Sequence, residues 1–377
     1  MQEKCITLSP GADTEAFQAA LDRAAGGVLR IPAGEYCVER TLYIDSDTQI
    51  LADEDARIRL GTAYPKKRGD FLLSNRHTDT GDRNIFIAGG VWDGGFDGVV
   101  NTKSGGLFDE DAWSGALLNF TNVRNLILRG LTLANSVTYY LRLCRIDGFD
   151  IRYIRFAAEC LAFNQDGLHF AGECRNGYVK DIRAVTRGET NDDMIALNAD
   201  DSTVRRENFD TVCGPIENIT FEDIFAEDCY TAVRMLSVRS PIRNIRFKNL
   251  VCGCRVYAIN MDGARYCATP LFSEAEYAQG CGQIEHILFD GLTVYSTGGN
   301  PATPLIDLET RCTDFVIRDF SCPIEREALH RPLLRVKNLP GFRAELYERG
   351  KSVPTPLSTE DKETLELDQP FDGLVIS

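Results

Sequence analysis

Asn218-Ile219-Thr220-Phe221-Glu222-Asp223-Ile224 is answered 26 residues later by Asn244-Ile245-Arg246-Phe247-Lys248-Asn249-Leu250, and this echo decides the fold. Each phrase opens on a polar or aromatic residue, alternates apolar with polar positions, and turns on Asp, Asn or Gly before a further apolar residue. It recurs as Asn84-Ile85-Phe86-Ile87-Ala88-Gly89-Gly90-Val91, as Asn125-Leu126-Ile127-Leu128-Arg129-Gly130-Leu131 and as Phe149-Asp150-Ile151-Arg152-Tyr153-Ile154. Further copies are Asn176-Gly177-Tyr178-Val179-Lys180-Asp181-Ile182, His286-Ile287-Leu288-Phe289-Asp290-Gly291-Leu292 and Asp314-Phe315-Val316-Ile317-Arg318-Asp319-Phe320. The anchors at 84, 125, 149, 176, 218, 244, 286 and 314 are separated by 41, 24, 27, 42, 26, 42 and 28 residues. The base period is 24 to 28, and three coils hold about 15 residues more.

Short alternating strands at this period, with no amphipathic helix between them, exclude a βαβ sheet. A leucine-rich repeat needs a Leu/Asn ladder that the chain lacks. The pattern predicts an all-β fold: a single-stranded right-handed parallel β-helix whose coils stack about 4.8 Å apart. A solenoid needs its ends covered. Asp13 to Ala25 reads as an N-terminal capping helix, with Asp13 or Thr14 as N-cap, an apolar stripe of Phe17, Leu21 and Ala24, and a stop at Gly26-Gly27. The β-helix with its cap is expected over residues 1–340, and a C-terminal tail over 341–377 that includes a last strand or arm at Phe371–Ile376.

Composition narrows the function classes. The 377 residues hold 41 Lys+Arg against 56 Asp+Glu, a formal net charge of −15. So acidic a chain lacks the footprint of a nucleic-acid binder or of a protein drawn to anionic membranes. With 44% apolar residues it can bury a sizeable core. No run approaches the ~18 apolar residues of a membrane span. Thirteen cysteines, an odd number without paired C-x-x-C units, argue for reduced buried thiols rather than a disulfide scaffold or zinc site. Together with a start, Met1-Gln2-Glu3-Lys4-Cys5, that has no signal-peptide pattern, this sets the expectation of a cytoplasmic protein.

The three long coils place insertions at roughly 94–115, 199–215 and 262–283, each after the last strand phrase of its coil. Loops leaving a solenoid at one place wall a cleft on one face. The strands before them read Asn164-Gln165-Asp166-Gly167-Leu168-His169-Phe170 and Asn191-Asp192-Asp193-Met194-Ile195-Ala196-Leu197, one coil apart. Asp193 should lie above Asp166 with Asp192 beside them, Tyr139 one coil before and Thr231 one coil after. With Leu168 and Phe170 inward, His169 points outward, as do Arg142 and Arg234 on either side. Three carboxylates within about 5 Å split their proton affinities, so that one stays protonated while its neighbours ionise. General acid/base hydrolysis needs such a split. Turn-capping aspartates and a calcium site are the alternatives. Asp109-Glu110-Asp111 and Asp200-Asp201 read as solvated loop charge.

On these residues the chain resembles the polygalacturonase-like glycoside hydrolases, family 28, of the pectin-lyase-like β-helix superfamily. Gly11-Ala12-Asp13-Thr14-Glu15-Ala16-Phe17-Gln18-Ala19-Ala20-Leu21 and Ile31-Pro32-Ala33-Gly34-Glu35-Tyr36 are similar to the superfamily's N-terminal segment. Gly89-Gly90-Val91-Trp92-Asp93-Gly94 is similar to its Gly-Thr-Ile-Asp-Gly phrase, Asn164-Gln165-Asp166-Gly167 to Asn-Thr-Asp-Gly, and Asn191-Asp192-Asp193 to Gly-Asp-Asp. The resemblance implies Asp192 as general acid and Asp166 and Asp193 as holders of the attacking water. It also implies inversion of configuration with widely separated carboxylates, and no metal or other cofactor. The chain departs from the family where Gly-His-Gly should fall, near Tyr230-Thr231-Ala232. It departs again where Arg-x-Lys should grip a uronate, near Ile259-Asn260-Met261. His169 stands where an acidic residue is usual. His169, Arg142 and Arg234 could stand in for the lost basic groups, with Tyr139, Tyr230 and Asn260 completing the expected substrate contacts. Tyr140, Trp92, Trp113 and Tyr257 are further candidates to stack on sugars.

The expectation is therefore an exo-acting inverting hydrolase of an oligosaccharide or glycoside, with a sugar specificity other than galacturonan. A β-helix lyase, epimerase or fructan-processing enzyme and a non-catalytic carbohydrate-binding β-helix are the alternatives. The partner expected is a carbohydrate, not nucleic acid or membrane. An exposed solenoid flank, or the loop with Tyr266, Phe272 and Tyr277, could pair with a second copy.

Overall fold

The computed structural model describes residues 4–61, 70–97, 116–200, 211–263, 281–337, 343–346, 352–353, 355–358, 364–367 and 374–376. Two backbone corners per coil explain the repeated phrase. The first falls at Asn84, Asn125, Gly148, Asn176, Asn218, Asn244, His286 and Asp314, all left-handed, with φ from 50° at Asp314 to 78° at Gly148. The second falls five residues on, at Gly89, Gly130, Tyr153, Asp181, Asp223, Asn249, Gly291 and Asp319, again at positive φ. Gly, Asn and Asp tolerate this region best, which is why they punctuate the phrase. The third anchor is Gly148, one residue before the Phe149 expected from the pattern.

The residue after each first corner points into the solenoid. Ile85, Leu126, Phe149, Gly177, Ile219, Ile245, Ile287 and Phe315 are register partners through successive parallel strands. Gly177 is glycine for a reason: a Cβ there would lie 1.9 Å from the Phe149 ring, which fills its space. Farther in, Phe221 stacks on Phe247 at 4.7 Å and Phe247 on Phe289 at 4.6 Å. Outside, amides pair between coils: Asn125 donates to Asn84 at 2.9 Å and Asn244 to Asn218 at 3.0 Å. The chain is thus an all-β parallel β-helix, as the repeat requires.

One α-helix, Thr14–Ala24, is present among the described residues; the Asp13 side chain accepts from the Ala16 N–H at 2.9 Å as its N-cap. Phe17, Ala20, Leu21 and Ala24 are buried in the apolar cluster that holds Leu29 and Ile31. Parallel pairing runs to Leu334–Lys337. The later strands return antiparallel: Thr364–Leu367 pairs with Leu334–Lys337, and Leu374–Ile376 pairs with Cys312–Ser321 and Arg343–Leu346. All described cysteines are free thiols. No described helix is long and apolar enough to cross a membrane.

Most of the three insertions lies outside the described residues, with Trp113, Tyr266, Phe272, Tyr277, Asp201 and Asp109-Glu110-Asp111. Asp200 is described and is not solvated charge. It is buried, and its Oδ2 accepts the N–H groups of Val238, Arg239 and Ser240 at 2.7, 2.7 and 2.8 Å.

Candidate active site

The turns before the strands Leu168–Phe170 and Asp193–Asn198 bring the three carboxylates together. Leu168 pairs in register with Ile195, which sets Asp193 over Asp166; the Gly167 N–H donates to the Asp193 carbonyl at 2.9 Å. One oxygen from each of Asp166, Asp192 and Asp193 lies within 4.8 Å of the others. Asp166 and Asp193 are buried and Asp192 is half-buried, so Asp192 alone of the three has substantial access to solvent. This is the juxtaposition the spacing predicts. The wide separation expected of an inverting pair is absent, because adjacent coils set the carboxylates one strand spacing apart.

Burial pushes the Asp193 carboxyl well above the usual carboxylate range, and the charges of Asp192, Asp166 and Asp262 push the same way; Arg234 opposes them. Protonation of the cluster is thus favoured at Asp193.

His169 is fully buried although it faces off the sheet. Its Nδ1 lies 2.6 Å from Asp166 Oδ2, and its ring stacks on Tyr139 at 3.9 Å and 12°. Tyr139, one coil earlier, is buried beside it rather than open to a sugar. Arg142 is the register partner of His169; it donates to Asn119 at 3.1 Å and to Thr211 at 2.6 Å. Arg234, the partner of Ala196, is forked onto both oxygens of Asp262 at 3.2 Å and reaches Asp193 at 3.6 Å. Neither arginine is solvated strand charge: both are buried and hydrogen-bonded. Asn260 follows Arg234 in the same row and is buried, two coils beyond Asp193. Tyr230 is 40% exposed and Tyr257 half-buried, whereas Trp92 and Tyr140 are core residues.

Three residues that sequence reasoning passed over tie the site together. Asn191 donates to the Ala162 carbonyl at 2.9 Å and accepts from Arg255 at 2.8 Å, clamping the Asp192 turn to the Asp166 turn. Asp262 neutralises Arg234. Asn191 sits inside the recognised motif and could have been singled out; Arg255 and Asp262 reach the site only through coil stacking.

The three oxygens could also ligate a cation, but Ca²⁺ asks for six to eight oxygens, and a guanidinium already stands beside Asp193. The buried, hydrogen-bonded carboxylate–histidine pair beside an accessible carboxylic acid suits proton transfer.

No protein-family model matches the chain, and no curated protein matches it. Solved structures do. A polygalacturonase from Erwinia carotovora is 14% identical at a TM-score of 0.57, with 90% of this chain and 96% of that one aligned. An endo-xylogalacturonan hydrolase from Aspergillus tubingensis is 16% identical at 0.55, with 89% and 96% aligned. PfbA, a surface adhesin of Streptococcus pneumoniae, is 13% identical at 0.52, with 97% and 100% aligned. These likenesses establish a polygalacturonase-like β-helix fold, which hydrolases and an adhesin share.

Proposed function

We propose that the protein is a glycoside hydrolase acting on a sugar other than galacturonate, with Asp166, Asp192 and Asp193 as its acid/base machinery. The observation behind this reading is the three-carboxylate cluster within 4.8 Å, one member half-buried and one with its proton affinity raised by burial. Asp192 and Asp193 share the acid proton, and Asp192 presents it to the leaving oxygen. Asp166, braced by His169, deprotonates the attacking water. Asp193 is thus a proton store coupled to the acid, rather than a second base.

A uronate carboxylate would meet the net negative charge of the Asp166–Asp192–Asp193 cluster, while Arg234 is already forked onto Asp262 and Asn260 holds the place of a basic grip. The charge balance favours a neutral sugar. Attack at a chain end, a right-handed solenoid capped by the helix Thr14–Ala24, and a cytoplasmic location that limits substrates to short imported oligosaccharides complete the reading. Inversion follows from the family resemblance. Direct attack by the water that Asp166 deprotonates inverts the anomeric centre.

Mass spectrometry of pectic, neutral plant, fructan and host-type oligosaccharides incubated with the protein and with Asp192→Asn tests the reading. A product that gains water with the wild type, and is lost at least 100-fold in the variant, is expected. An unsaturated or isomerised product would overturn it. Proton NMR of the first-formed anomer then separates inversion from retention.

A further inference from the structure

Two exposed aromatic residues stand in the coils on either side of the Asp192 turn. Phe163 lies three residues before Asp166 and is 68% exposed, an unusual state for phenylalanine. Its neighbour Ala162 accepts from Asn191, which adjoins Asp192. On the far side of the same turn, the Tyr230 N–H donates to the Thr190 carbonyl at 3.2 Å, and the Thr231 N–H to the Asp192 carbonyl at 3.2 Å. Phe163 therefore stands in the coil of Asp166, and Tyr230 two coils on, with the Asp192 turn between them. Two coils span about 10 Å. The guanidinium of Arg255 lies 5.9 Å from the centre of the Tyr230 ring while its Nη1 donates to Asn191, coupling the ring to the Asp192 turn. Leu161, two residues before Phe163, is exposed too, so the two make a short apolar strip in the turn that ends at Asp166.

We propose that Phe163 and Tyr230 are sugar-stacking platforms on opposite sides of the cleaved bond, and that the substrate lies along the solenoid axis with a pyranose face on each ring. The occupant is a neutral saccharide of at least two residues. Aromatic rings bind the C–H faces of sugars, and the acidic cluster between them repels an anionic chain. This rests on the hydrolase reading for what happens at Asp192, but the two fail separately.

The test is affinity capillary electrophoresis in buffers containing xyloglucan, galactan or polygalacturonan oligosaccharides, with wild type, Asp192→Asn, Phe163→Ala and Tyr230→Ala. Circular dichroism and light scattering check fold and mass. Retardation by a neutral oligosaccharide is expected for wild type and Asp192→Asn, and its absence in the wild type would overturn the proposal. Each aromatic variant should weaken it about three- to tenfold and raise KM in step for any panel member that is turned over. Unaltered retardation and KM in Phe163→Ala would overturn the platform and leave the hydrolase standing, as would retardation by polygalacturonan alone. A dimer that falls apart in Phe163→Ala without loss of retardation would reassign the strip to a second copy and overturn the proposal. Phe163-dependent retardation with no turnover by the wild type would support the platform and sink the hydrolase.

Discussion

Burial raises the Asp193 carboxyl well above the usual carboxylate range, and the neighbouring Asp192, Asp166 and Asp262 push the same way against Arg234. An unfolded Asp193 ionises at its ordinary value, near 4. Above that pH the unfolded chain has lost a proton that the folded chain keeps. Stability therefore falls as pH rises, until the folded group ionises too; the contribution is fully present only below the ordinary value. Asp193→Asn removes this slope. Its Tm should gain on the wild type as pH rises above about 4, and parallel Tm–pH curves would refute the assignment. His169 acts through Asp166. His169→Ala should lower kcat about 10- to 100-fold with KM little changed, and His169→Asn, which keeps a donor near the Nδ1 position, should recover part of it. Equal loss in both variants would mean that His169 only packs against Tyr139. The carboxylates were legible in the sequence because both motifs are local and lie one period apart. The partners of Arg234 and Asn191 were not: Asp262 and Arg255 lie 28 and 64 residues away, and only the lengths of intervening coils bring them back.

Left-handed corners define each strand of the repeat, and side chains differ in what that conformation costs. Asn, Asp and Gly fill nearly every second corner; Tyr153, at φ 59° and 53% exposed, is the exception. A non-glycine residue without local hydrogen-bonding capacity pays about 1–2 kcal/mol there. Tyr153→Asn should accordingly raise the stability read from urea unfolding by about 1 kcal/mol, with the slope of the transition unchanged. A loss would show that the Tyr153 ring contributes more by packing than its backbone costs. The same corners explain how far the phrase could be read. Its period was plain because Asn, Asp and Gly recur at fixed places. One anchor slipped by a residue because Gly148, unlike the asparagines, leaves no polar mark in the pattern. Asp200 was misread for the opposite reason: next to Asp201 it looks like loop charge, and only the following coil supplies the three N–H groups that it accepts.

A solenoid lacks one central core, so its stability passes from coil to coil through neighbouring interfaces. The phenylalanine stack along Phe221, Phe247 and Phe289 provides this on the inside. Toward the C-terminal end, Arg331 provides it through backbone. Its guanidinium is buried, and burial alone pulls its pKa down, yet it donates to five carbonyls: Thr303, Arg255, Gly298, Val256 and Pro304. Those carbonyls belong to the strand Pro241–Met261 and to the turn that leads into Ile306–Leu308, while Arg331 itself precedes Leu334–Lys337. One side chain thus joins three successive coils. Its five N–H donors in a rigid fork match five acceptors, and an ammonium has three donors at a single point. Arg331→Lys should leave carbonyls unsatisfied in a buried site and cost about 2–4 kcal/mol. Because coupling is between neighbours, the loss should be local: hydrogen exchange should quicken over residues 241–261 and 283–337 and stay at wild-type rates over 118–184. Uniform acceleration along the whole chain would mean that the β-helix unfolds as one cooperative unit, with Arg331 an ordinary contributor rather than a local staple.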